Sequence, residues 1–140
     1  MVAINNTTQK KINERKINTL VAEFLRVYKK SAWEVSIAVV GSARMRRLNN
    51  DYRGIDKATD VLSFGADGSP YYLGEVIINI EETKKAGKYL DIFGEKKSSD
   101  YVFYFLLIHG LLHLVGYNDE IEAERLKMLS VGSKFIEKYF

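Results

Sequence analysis

The chain reads as an α+β domain, a mixed sheet of about four strands packed with about five helices, with a metal site on a central apolar helix. Three observations predict it. Short runs rich in β-branched residues alternate with longer runs whose apolar positions recur at helical spacing. The one strongly apolar run, Tyr101 to Val115, is shorter than the roughly 20 residues a membrane span needs and contains both of the chain's histidines. Finally, 140 residues with 46% hydrophobic content and no repeat, low-complexity tract or dividing linker suit one domain with a single core.

In chain order, Val2 to Ile4 is predicted as a short strand. Thr8 or a neighbour starts a helix whose apolar positions are Ile12, Ile17, Leu20, Val21, Phe24 and Val27. Trp33 to Val40 is β-branched and strand-like, and Gly41-Ser42 breaks it and caps a short helix, Ala43 to Asn50, with Met45 and Leu48 facing inward. Val61 to Phe64 and Leu73 to Ile80 are two more strands joined by the turn-rich stretch Gly65 to Pro70. Glu81 to Leu90 is predicted as an amphipathic helix. Beyond the loop around Gly94, Ser98, Ser99 or Asp100 caps the apolar helix, which ends near Gly116, and a last helix runs from about Asp119 to Tyr139.

Composition narrows the chemistry. With zero cysteines there is no disulfide framework and no thiolate site, so a metal would need imidazole and carboxylate ligands, and the cytoplasm is the expected compartment. Met1 to Lys30 is polar and lysine-rich, unlike an export leader. Charge is uneven: residues 1–57 hold 12 basic and 5 acidic residues, net +7, and residues 58–140 hold 9 and 13, net −4. A basic part carrying Arg44, Arg46, Arg47 and Arg53 suits a polyanion, and an acidic part suits a cation, although lysines such as Lys10, Lys11, Lys29 and Lys30 also serve simply to solvate a helix.

The chemistry concentrates at His109-Gly-Leu-Leu-His113-Leu-Val-Gly116-Tyr-Asn-Asp119. Two histidines four apart on a helix project from one face and can share a metal ion. Gly116 permits a left-handed turn that brings Asp119 back to the same ion. Three protein ligands leave one position open, which is the catalytic arrangement. The alternative is a pair of polar rings tolerated in a core, but burying two unpartnered imidazoles costs about 1–3 kcal/mol each, which a shared metal removes. Asp119 has its own alternative, an ordinary first-turn carboxylate of the last helix.

Three stretches in the same order carry a resemblance: residues 48–64, from Leu48 to Phe64; residues 73–79, from Leu73 to Asn79; and residues 109–117, from His109 to Tyr117. Together they make residues 35–128 similar to the bacterial rRNA-maturation endoribonucleases, often called the YbeY family. The resemblance implies a metal-dependent hydrolase domain over residues 1–140, cutting single-stranded RNA in maturation of the 3′ end of small-subunit rRNA and in ribosome quality control. It implies single-stranded RNA and the small ribosomal subunit as partners, with no membrane and no small-molecule cofactor. It also implies catalytic roles for Arg53, His109 and His113, the guanidinium being able to hold two phosphate oxygens at once. The plainer alternative for Arg53 is a helix cap or a pair with Asp51 or Asp56.

Two departures from the family pattern stand out. Asp119 occupies the position of a third zinc-binding histidine, and this harder ligand admits Mn²⁺ or Fe²⁺ beside Zn²⁺. Ala58 and Gly65 stand where proline is common. Two other readings remain open: a small metalloprotease or amidohydrolase, against which Gly110 replaces the glutamate that follows the first histidine in zinc proteases, and a non-catalytic ribosome assembly factor with a structural metal. Most aromatics belong to the core, with Tyr71 and Tyr72 as candidates to stack on bases.

Overall fold

The computed structural model describes residues 2–139. Four strands form one mixed sheet in the order β1-β2-β4-β3, with β1 Val2–Asn6, β2 Glu34–Val40, β3 Val61–Gly65 and β4 Tyr72–Asn79. β1, β2 and β4 are parallel, in register Ile4↔Ile37↔Val76, and β3 runs antiparallel to β4 with Ser63 opposite Val76. Five α-helices accompany them: α1 Glu14–Val27, α2 Ser42–Arg53, the single turn α3 Leu90–Phe93, α4 Ser99–Leu114 and α5 Glu122–Tyr139. The predicted α+β class with four strands and five helices is the one observed.

Strand alternation sorts side chains onto two faces. Val35, Ile37, Val39, Val76 and Ile78 join the large core with α1, α4 and α5. Ala38, Val40, Leu62, Ile77 and Phe64 face the other way, onto Met45 and Leu48 of α2. The apolar helix α4 is buried from Val102 to Ile108 without a break, which places it centrally, between the sheet and α5. α5 closes over it where Gly132 lets the backbone approach, a Cβ there lying 3.6 Å from Leu112 and from Phe105.

Some boundaries differ from expectation for local reasons. α1 starts at Glu14 rather than near Thr8, because the Asn6 carboxamide accepts from the Thr8 amide at 2.9 Å and hydroxyl at 2.7 Å, which holds a loop, and Asn13 then caps the helix through the Lys16 amide. Val27, expected inside, is 46% exposed. α2 runs three residues further than predicted, until Gly54 at φ +70° stops it. The predicted helix over residues 81–90 is instead two 3₁₀ turns, Glu82–Lys84 and Ala86–Tyr89, followed by α3. Glu82 is buried and draws Lys85 and Lys88 onto its two oxygens, each at 2.9 Å, while Thr83 donates to the Ile80 carbonyl at 2.6 Å, contacts that favour the narrower 3₁₀ winding. The last helix begins at Glu122, leaving Asp119 in the link that precedes it.

The decisive contact lies between α4 and the edge pair of strands. Gly110 sits on Val76 so closely that a Cβ would meet Val76 Cγ1 at 2.6 Å and Ser63 Oγ at 3.1 Å. The Ser63 hydroxyl donates to the Gly110 carbonyl at 2.9 Å, pinning that turn of the helix to β3. Gly110→Ala is expected to overpack this seat and lower the unfolding free energy by about 1–3 kcal/mol, read from urea denaturation midpoints.

Candidate metal centre

The last two turns of α4 carry His109 and His113 on one face, with ring centroids 5.0 Å apart and planes at 89°. Gly116, at φ +107°, reverses the chain, and the Tyr117 amide caps the helix through the Leu112 carbonyl at 3.1 Å. The reversal does two things. It sets the Tyr117 carbonyl 3.2 Å from His113 Nδ1, and it swings Asp119 back so that its carboxylate lies 3.6 Å from His113 Nε2. A carbonyl only accepts, so in this contact Nδ1 is the donor, and the ring is held with Nε2 turned toward Asp119. The Tyr117 hydroxyl lies 3.4 Å from that of Tyr28, which ties the reversing loop to α1.

His109, His113 and Asp119 each offer one donor atom within 4.8 Å of the others, a group that could hold a metal ion. The 3.6 Å separation is long for a hydrogen bond, yet close to the ~3.4 Å between two ligands of a tetrahedral ion with bonds of about 2.1 Å. Two imidazoles and one carboxylate thus fit a divalent cation by spacing and by chemistry. His109 stacks against Phe105 at 5.9 Å, and its Nδ1 is buried with no hydrogen-bond partner among the described residues. Burial, reinforced by repulsion from His113, pushes the proton affinity of His109 down to about 4, so the ring is neutral and its lone pair available at physiological pH.

The three residues open onto a cleft of about 510 Å³ whose other wall is Arg53 and the strand from Thr59 to Phe64. Arg53, at the end of α2, is exposed and belongs to this wall, so the structure brings all four residues singled out from the sequence together. The alternative pairing of Arg53 with Asp56 is not formed. Asp56 is held by Arg46, at 2.7 and 3.0 Å. Asp119, lying outside α5, is not a first-turn helix residue either. Tyr71 and Tyr72 lie away from the cleft lining: Tyr71 rests edge-on against Trp33, and Tyr72 donates to Ser36 at 2.9 Å.

Asp60 received no role from the sequence, although it stands in the middle of a quoted motif. It lines both this cleft and a smaller cavity of about 140 Å³ behind it, shared with Tyr89, His109, Asp119 and Arg125. One carboxylate oxygen accepts from the Val61 amide at 2.8 Å, and the other accepts from the buried Tyr89 hydroxyl at 3.0 Å. Burial and the adjacent Asp60 charge keep that hydroxyl protonated. Asn79, fully buried, donates to the Thr59 carbonyl at 3.1 Å and to the Ser42 hydroxyl at 3.0 Å, so the wall bearing Asp60 is tied to the start of α2. The signal that could have exposed Asp60 was a charged residue immediately before an apolar strand, a position that the sheet edge turns toward the histidines.

The histidine environment sets a pH dependence in protein stripped of metal. His109 takes up a proton near pH 4 when folded but near its ordinary value of 6.5 when unfolded. Below pH 6.5 the unfolded chain therefore binds more protons, and stability is lost as pH falls from 6.5 through 4, by up to about 3 kcal/mol. Urea midpoints at pH 7 and pH 4.5 should fall further apart in the wild type than in His109→Leu.

Comparison with known proteins places this geometry in context. The sequence profile of the family described as Endoribonuclease YbeY matches residues 3–139. The endoribonuclease YbeY of Bacillus pumilus (strain SAFR-032) is 33% identical over 138 residues, covering 89% of this chain and 82% of that protein. That of Geobacillus thermodenitrificans (strain NG80-2) is 37% identical over 120 residues, covering 76% and 72%. The solution structure of TM1509 from Thermotoga maritima superposes with a TM-score of 0.65 over 99% of this chain and 89% of that one, at 22% identity, a likeness of fold. With the profile spanning nearly every residue and relatives matched over most of both lengths, the chain belongs to the YbeY endoribonuclease family.

Proposed function

We propose that this protein is a divalent-cation-dependent endoribonuclease that cuts single-stranded RNA, acting on the 3′ end of small-subunit rRNA and in ribosome quality control in the cytoplasm. The observation that carries the reading is one cleft holding a two-imidazole, one-carboxylate donor set opposite an exposed guanidinium. His109, His113 and Asp119 would hold the ion, with Zn²⁺, Mn²⁺ and Fe²⁺ as candidates. The chemistry such an ion would supply there is Lewis acidity, which would lower the pKa of water and offset charge on a phosphoryl oxygen. Arg53 grips the non-bridging oxygens of the scissile phosphate through its fork of donors and orients the ester for in-line displacement. The Tyr117 carbonyl keeps His113 in one tautomer, and the buried face of His109 keeps that ring uncharged. No helix among the described residues is long and apolar enough to cross a membrane, in keeping with a partner met in solution.

The packing of Gly110 weighs against the peptidase reading. In zinc proteases the position after the first histidine supplies the general base, but here it faces Val76 with no space for even a methyl group. A carboxylate could not stand there without parting the helix from the sheet.

Two measurements separate the nuclease from an assembly factor with a structural metal. Elemental analysis of protein purified without chelators should find one equivalent of a transition metal, lost in His113→Ala and Asp119→Ala together with RNA cleavage. Arg53→Ala should keep its metal and its melting temperature while kcat on a single-stranded oligonucleotide falls about 10²–10³-fold, the loss typical of one transition-state donor. Arg53→Lys should recover only part of that, since an ammonium cannot bind two oxygens in one plane. Full cleavage by Arg53→Ala, or cleavage of peptide and not RNA, would overturn the proposal. Asp119→His should move metal preference toward zinc, read by competition between Zn²⁺ and Mn²⁺.

A further inference from the structure

The apolar stripe of α2 runs out from beneath the sheet before the helix ends. Met45 is fully buried, Leu48 is partly covered, and Tyr52, one turn further on, is 68% exposed. The last ring beneath it is that of Phe64, 5.1 Å away centre to centre and tilted by 53°. Phe64 and Arg53 line the metal-site cleft, so Tyr52, packed on the first and next to the second in the chain, stands at its rim outside the lining residues and largely open to solvent. Tyr71, the other strongly exposed tyrosine, packs on Trp33, which unlike Phe64 does not line this cleft.

We propose that Tyr52, backed by Phe64, is the stacking subsite for an unpaired nucleobase next to the scissile phosphate. This rests on the nuclease reading above and names how the substrate is held. Arg53 can fix a phosphate but carries no preference between paired and unpaired strands. A flat ring presented beside it does, because only a base freed from its own helix can lay its face on the tyrosine. Phe64 fixes the tilt of Tyr52, so little freedom is lost when a base lands. Charge favours nucleic acid over an apolar protein partner at this lip: Arg44, Arg47 and Arg53 are all exposed on the same helix. The subsite therefore contributes to binding of single strands and leaves the metal untouched.

The test uses metal-loaded protein and labelled single-stranded RNA oligonucleotides, intact or with one abasic nucleotide at successive positions around the cleaved bond. Tyr52→Ala should raise KM, and weaken binding measured by fluorescence anisotropy, by about 5- to 100-fold, with kcat and metal content little changed. Tyr52→Phe and Tyr52→Trp should bind as the wild type does. One abasic position should cost the wild type a similar factor and be silent in Tyr52→Ala. An unchanged KM in Tyr52→Ala, or abasic penalties that simply add to that of the variant at every position, would overturn the subsite while leaving the nuclease standing. Circular dichroism and melting of Tyr52→Ala guard against misfolding, and Tyr52→Phe with wild-type stability but alanine-like binding would also refute stacking. Wild-type protein that binds RNA without cutting it refutes the nuclease reading and still reads the subsite by anisotropy, and failure to bind at all removes both.

Discussion

The seat of α4 on β3 and β4 governs the rest of the molecule. At Gly110 the helix contributes no side chain, so its backbone rests directly on the Val76 side chain, and the Ser63 hydroxyl holds the carbonyl of that residue in place. His109 is the neighbour of Gly110, and His113 follows one turn later. Their distance from the cleft wall is thus set by backbone against strand, with almost no play from long side chains. Asp60 and Arg53 reach the same cleft through β3 and α2, which are joined by the hydrogen bonds of Asn79. A site built this way is positioned by packing, so its precision derives from the core.

Electrostatics follow from the same arrangement. The basic helix α2 and the acidic segment around Asp119 meet across one cleft, so the uneven charge visible along the chain becomes a local juxtaposition of guanidinium and carboxylate. A cation and a phosphodiester need opposite fields within a few ångströms, and the fold supplies them from different ends of the chain.

Elements with strong periodicity were legible in the sequence: the central helix, the four strands, and the histidine pair with its returning aspartate. The spacing alone placed Asp119 because a helix face and a glycine reversal have few geometric outcomes. What escaped reading depended on long-range partners. Residues 81–90 have a helical pattern, but Glu82 recruits two lysines and Thr83 bonds backward, and the chain tightens into 3₁₀ turns. Asp60 received no role because Tyr89 and the histidine helix, which pack beside it, are distant in the chain. Tyr52 received no reading, because the helix was expected to end at Asn50 and nothing in the local pattern shows that it runs on to Arg53.

The position of Asp119 in the short link between α4 and α5 has a thermodynamic side. Two donors belong to one helix and the third to the strap leading into the next, so an ion held by all three would staple α5 down over α4. Metal binding and the packing of the C-terminal helix would then be linked, each strengthening the other by the same factor.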